Sequence, residues 1–412
     1  MKLLLSHPTG NTFVRALLES AHAAGVLESF HTTIAYRDSC WAEKLLPGGI
    51  RTQYERRSYP VPDELINRHP FRETVRLLAA KVGLATLTKH ETGWASLDEV
   101  YNELDRKTAK VLIKSDATHL HCYEDGALEC FKIAKRLGIR RSYELPIAHW
   151  KTMRELLAIE AERRPDWAPT LVATNDSDEK LARKDEELSL AETIVLPSKF
   201  VQESLPKKFI DEKKCLVAPF GTPTTEINNN REDSSIPQKI RFLFAGSMGQ
   251  RKGLGDLLEA FSKIRRKDVE LILMGTPLME MGFYRKQFDG FTYEPTRSHR
   301  DVLKLMKTCH VLVLPSIVEG RALVMQEAMS QGMVLLVTAN TGGEDLVVEG
   351  KTGFLVSVGD PTSIEERIHW FADHRDKLVE MGRCAQQHAS TYTWKQYSRI
   401  ILDGIGHIGT CN

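Results

Sequence analysis

Short apolar runs alternate with amphipathic stretches of helical period along most of this chain. Residues 2–6 read as a strand stopped by Pro8, and residues 12–24 as a helix ending at Gly25. Residues 118–122 read as a short strand, 126–137 as a helix stopped at Gly138, 193–197 as a strand and 198–205 as a helix capped by Ser198. A second series begins at residue 240, with strands over 240–246, 269–274, 311–314 and 334–338. Helices over 254–264, 300–308 and 364–374 fall between or after them. Apolar runs without polar alternation suit strands buried on both faces, and their alternation with helices predicts parallel sheets.

Between the two series, residues 219–239 hold Pro219, Gly221, Pro223, Asn228, Asn229, Asn230 and Pro237. That turn-rich stretch predicts a linker. Two α/β domains follow, 1–218 and 240–385, each doubly wound and Rossmann-like, with a cleft between the carboxyl ends of their sheets. A length of 412 residues gives each domain enough chain for a core. Net charge is +1, which gives no global pull toward nucleic acid or anionic membrane. The seven cysteines form no CxxC pair, so neither zinc nor a disulfide framework is expected, and their odd number fits a reducing cytoplasm. No apolar run approaches the ~18 residues of a membrane span, and the apolar start is too short for a signal peptide. Residues 51–90 are locally basic, with Arg51, Arg56, Arg57, Arg68, Arg72, Arg76, Lys81 and Lys89 against four acids. They read first as a solvated face, and second as a contact with a lipid-linked or anionic acceptor or a weak peripheral contact with the headgroup surface of a membrane.

Chemistry concentrates in the second series. Glu319 and Glu327 stand eight residues apart across the start of a helix that Gly332 closes. Eight residues of helix rise about 12 Å, too far for the carboxylates to share a proton. They suit two hydroxyl clusters on one extended ligand, with a diphosphate at the free amides of the helix start between them. Phe244 to Gly253 is a strand, a loop with Gly246, and the adjacent cations Arg251 and Lys252. Fixed cations aimed at a departing diphosphate would lower the barrier to its loss. The loop is not GxxxxGK[ST]. In the first series, Gly10 follows strand one and allows close backbone approach. His121 and His149 stand at strand ends and could face the cleft, with a core or capping histidine as the alternative for each.

Gly246, Arg251-Lys252-Gly253, Leu314-Pro315-Ser316, Glu319-Gly320, Glu327-Ala328, Gly332 and Gly342-Gly343-Glu344 together resemble the donor domain of glycosyltransferase family 4. That family is retaining and has the GT-B fold; the likeness covers roughly residues 240–360. The resemblance implies that Glu327 holds the ribose and Glu319 the transferred sugar. It implies that the amides of Arg321, Ala322 and Leu323 meet the diphosphate, with Gly320 beside them in the donor site, and that Arg251 and Lys252 neutralise it. Thr292 and Tyr293 would flank the base. His121 would face the reacting sugar, and Gly10 the donor phosphate or acceptor. Ser247 stands where many members carry arginine. Residues 386–412 would return to the first domain as the terminal helical segment.

The activity so implied moves a sugar from a nucleotide-diphospho-sugar to a hydroxyl of a glycan, a lipid-linked glycan or a small molecule. No cofactor or metal is expected. A UDP-sugar is the first expectation for the donor, with GDP- and ADP-sugars as alternatives. A sugar-nucleotide epimerase, a phosphorylase, or a non-catalytic protein of the same fold are the competing readings.

Overall fold

The computed structural model describes residues 1–37, 48–171, 175–223 and 237–406. Leu3–Ser6 (β1) is buried at every position and lies inside a seven-stranded sheet. The other strands are Leu27–Thr32 (β2), Ile66–Arg68 (β3), His119–Tyr123 (β4), Arg140–Glu144 (β5), Thr193–Leu196 (β6) and Lys214–Val217 (β7). Their order is β3-β2-β1-β4-β5-β6-β7, with Leu5 of β1 opposite His121 of β4. A six-stranded sheet follows, built from Ile240–Ala245 (β8), Val269–Met274 (β9), Phe291–Glu294 (β10), Val311–Leu314 (β11), Val334–Val337 (β12) and Gly353–Leu355 (β13). Its order is β10-β9-β8-β11-β12-β13. The strand pairs in both sheets are parallel, so the carboxyl ends of each sheet's strands lie along one edge.

β5 escapes the apolar pattern because its polar side chains find partners inside the protein. Ser142 is 2.8 Å from His121 Nδ1. Glu144 accepts the Tyr397 hydroxyl proton at 2.7 Å. A buried polar side chain that is hydrogen-bonded avoids most of its desolvation penalty.

The return to the first domain comes later than residue 386. Leu378–Ser390 contributes Leu378, Met381, Ala385 and Ala389 to the core of the second sheet. The helix Trp394–Gly406 buries Tyr397, Ile401 and Ile405 on the first, beside Thr12–Ala23. The crossing therefore falls at residues 391–393. Of the expected linker, 224–236 lie outside the described residues. Phe220 is buried in the first core, and Thr222 donates to Ala389 O at 2.6 Å.

One segment crosses the expected domain division. Trp167, in the 3-10 turn Pro165–Thr170, belongs by sequence to the first domain but is buried in the core of the second. Its ring meets Phe283 edge-on at 4.8 Å and Tyr284 at 5.8 Å. Truncating a buried tryptophan costs about 3–5 kcal/mol. Trp167→Ala is expected to lower stability by about that amount in urea unfolding. A loss below about 1 kcal/mol would show that the indole is not an anchor.

Candidate active site

The site begins where β8 ends. Gly246 has φ +144, and a Cβ there would lie 2.7 Å from Lys252 Cε, so the lysine stem runs across bare backbone. The turn Gln250–Lys252 closes at Gly253, with φ +70, where a Cβ would lie 1.9 Å from Pro315 O. This close approach seats the loop after β8 on the loop after β11 and brings two cations to one carboxylate. Lys252 Nζ lies 2.5 Å and Arg251 Nη1 2.8 Å from Glu319 Oε1. Arg251 also donates to Val318 O at 3.1 Å. Burial alone would push the Glu319 carboxyl up, but Lys252 and Arg251 outweigh it and hold the group below the usual carboxylate range.

The loop carrying Glu319 is fixed from both domains. Its own N–H donates to Asn340 O at 3.0 Å, and Asn340 Nδ2 donates to Ile317 O at 2.8 Å. Gly320 touches the first domain: a Cβ there would sit 1.8 Å from Pro146 O. Ser198 Oγ donates to Gly320 O at 2.7 Å. Asn340 escaped the sequence reading, although Asn340-Thr341-Gly342-Gly343 carries a turn signal.

The helix Leu323–Ser330 follows, without a side-chain cap on its first turn. Of the amides assigned to the diphosphate, that of Ala322 already donates to Thr341 O at 3.2 Å. The Arg321 side chain is buried, donating to Gln326 Oε1 at 3.0 Å, Gly342 O at 3.1 Å and Asp345 Oδ1 at 2.7 Å. Glu327 lies on this helix, partly buried, 3.5 Å from His299 Nδ1. Burial raises its pKa and His299 opposes the rise. The two glutamates therefore sit in opposite environments. Tyr293 donates to Gly275 O at 3.1 Å, and Gly275 packs against Gly246. Thr292 is exposed and points to the other face of β10 by strand alternation. Ser247 is partly buried, and its carbonyl accepts from Gly249 N at 2.9 Å.

In the first domain, Gly10 has φ +60, and its N–H donates to His7 Nδ1 at 2.8 Å. A Cβ on Gly10 would collide with the Tyr59 ring at 2.1 Å. His121 is fully buried between Ser142 and Glu144, its Nε2 3.3 Å from Glu144 Oε2. It reaches the terminal helix through Glu144 and Tyr397. His149 caps the helix Trp150–Arg163, accepting from Lys151 N at 3.3 Å, and lies 3.1 Å from Asp185. Burial lowers its pKa against the pull of Asp185. The structure thus joins Gly246, Arg251, Lys252, Glu319 and Gly320 in one constellation and sets His121 and His149 into local networks. Among the described residues, His90, Glu91 and Asp176 have side-chain ligand atoms within 4.8 Å of one another. Lys180 Nζ, 3.0 Å from Asp176 and 2.8 Å from Asp98, already brings a cation there.

The two facing sheets, with glycine-bared loops meeting at their carboxyl ends, form the GT-B fold. Residues 226–388 match the family model described as Glycosyl transferases group 1. A D-inositol 3-phosphate glycosyltransferase of Paenarthrobacter aurescens is 25% identical over 178 residues, covering 40% of this chain and 44% of the relative. The chain spans about half the length of the curated relatives it matches. Over the whole chain, the sucrose-phosphate synthase of Thermosynechococcus elongatus superposes with a TM-score of 0.67 at 15% identity, covering 98% of each chain. Anabaena HepE, solved in complex with UDP, gives 0.61 at 16% identity over 98% of this chain and 100% of its own.

Two predictions follow from this geometry. Gly320→Ala is expected to push Glu319 away from the first domain and lower the melting temperature by several degrees. An unchanged melting temperature would mean that the contact with Pro146 yields freely. The second concerns acid. Burial, then His121, lowers the His7 pKa to about 3; burial, then His69, does the same for His31. Folded values below the unfolded ~6.5 mean that the unfolded chain binds more protons. Stability from these groups is complete above pH 6.5 and falls as pH drops toward 3, by about 1.4 kcal/mol per unit per histidine. His31→Asn is expected to flatten the loss between pH 6.5 and 5 in urea unfolding; an unchanged slope would count against it.

Proposed function

We propose that this chain is a retaining glycosyltransferase of family 4 type, moving a sugar from a nucleotide-diphospho-sugar to an acceptor hydroxyl. The observation that carries the reading is the pairing of Lys252 and Arg251 with Glu319 at the ends of β8 and β11. With donor bound, the two cations stand ready for the charge that grows on the leaving diphosphate. Glu319, kept ionised, accepts hydrogen bonds from sugar hydroxyls and orients the reacting carbon. A carboxylate neutralised by two cations is a poor nucleophile, which favours attack by the acceptor on the face the diphosphate leaves. Glu327 takes the ribose hydroxyls.

A UDP-sugar is the donor favoured first, since HepE was solved with UDP and with UDP-glucose. A lipid-linked acceptor is supported by the first domain rather than by its arginines. Arg57 and Arg76 are spent on the buried Glu73 at 2.6 Å each. Phe71, Val82 and Leu84 stand exposed on the same stretch, and Trp94 just beyond it. No helix among the described residues is long and apolar enough to cross a membrane, so contact with a bilayer would be peripheral.

A thermal-shift panel of UDP-, GDP- and ADP-sugars is expected to single out one nucleotide, because ligand that binds the native state raises its stability. Glu319→Gln and Lys252→Ala are each expected to cut transfer about 100-fold or more, with the fold intact by circular dichroism. Full transfer by both variants would overturn the site. Donor interconversion without acceptor would identify an epimerase instead, and no nucleotide binding would leave a non-catalytic GT-B protein.

A further inference from the structure

Gln250 opens the turn that carries Arg251 and Lys252, and it is fully buried. Its N–H donates to Thr170 Oγ1 at 3.0 Å. Its Nε2 donates to Glu160 Oε1 at 2.7 Å and to Asp256 Oδ2 at 2.9 Å. Its Oε1 accepts from Gly255 N at 2.7 Å. Glu160 and Thr170 come from the first half of the chain, Gly255 and Asp256 from the second. Arg163 reaches Glu160 at 2.7 Å and Asp256 at 2.6 Å, and Arg164 reaches Asp256 and Glu259 at 2.6 Å each. The carboxylates around Gln250 are thus paired with arginines. A neutral amide fits between them because it donates twice and accepts once. A glutamate there would add a third negative charge, and a leucine would leave the Gly255 N–H unpaired.

We propose that Gln250 is a positioning residue that fixes the Arg251–Lys252 turn against segment 160–170. The turn is short and held at both ends, by Gln250 at its start and by Gly253 against Pro315 at its close. A shift of Gln250 must therefore move Lys252 relative to Glu319. The placement of the two cations is set by a segment encoded some ninety residues upstream of them, as in the Gln250–Glu160 pair with its sequence separation of 90. This inference rests on the reading of Arg251 and Lys252 as the diphosphate site.

The test uses the full chain with Gln250→Leu, the milder Thr170→Val, and Arg164→Gln as a control that weakens the clasp without touching Gln250. Binding of UDP, GDP and ADP is measured by calorimetry, and donor KM and kcat by steady-state transfer. Independently, the ¹³C signal of reductively methylated Lys252, assigned with Lys252→Arg, reports the lysine's contact with Glu319 without any ligand. Gln250→Leu is expected to raise the nucleotide Kd and the donor KM tenfold or more and to move the Lys252 signal. Thr170→Val should do the same to a smaller extent. Arg164→Gln should lower the melting temperature and leave Kd unchanged. Wild-type Kd and an unmoved Lys252 signal in Gln250→Leu would overturn the proposal, as would a rise in Kd in Arg164→Gln equal to that in Gln250→Leu. If Gln250→Leu does not fold, Thr170→Val decides by the same readouts. If the wild-type chain binds no nucleotide, the function proposed for the site falls, and the Lys252 signal still decides the role of Gln250.

Discussion

A carboxylate taken out of water must be neutralised where it sits, and Glu319 meets that demand with two cations on one oxygen. Three close backbone approaches in the second domain serve this meeting. Gly246 clears the path for the lysine stem, Gly253 lets the cation loop lie on Pro315, and Gly320 lets the carboxylate loop lie on Pro146. Side chains at any of these positions would separate charges that have no other partner of comparable strength. In this arrangement both cations are turned onto the one carboxylate.

The two sheets contribute unequally. The second supplies charge at the ends of β8 and β11. The first supplies shape, through Pro146 and Ser198 against Gly320, and a dry network of His121, Ser142, Glu144 and Tyr397 that ties its β4 and β5 to the terminal helix. That network places His121 under a helix from the end of the chain. With no exposure and both ring nitrogens partnered, it sits in the surroundings of a buried structural group.

Much of this was legible in the sequence. β1, β8, β9, β11 and β12 are nearly pure apolar runs, and period alone finds them. Glu319, Arg251 and Lys252 could be picked out because glycines and strand ends surround them. β5 could not, since Arg141, Ser142 and Glu144 owe their burial to partners far along the chain. Asn340 and His299 were missed for the same reason: their roles lie in carbonyls and carboxylates that only the fold brings near. The histidines at positions 121 and 149 show the limit from the other side. Strand-end position suggests a cleft, but the neighbours that occupy them cannot be counted from one sequence. The terminal crossing was expected at residue 386 and falls at 391–393, because a helix's choice of sheet is written in its apolar face and not in its place along the chain.

Trp167 has a consequence for how such a protein can be rearranged. A division at the linker, the natural place to exchange one first domain for another, would carry the indole away with the first half. The second domain would be left with a hole lined by Phe283 and Tyr284. The unit that can be transplanted is therefore not a contiguous stretch of chain. A working chimaera would have to keep residues 160–171 with the second half, so that the modules that recombine differ from those the sequence order suggests.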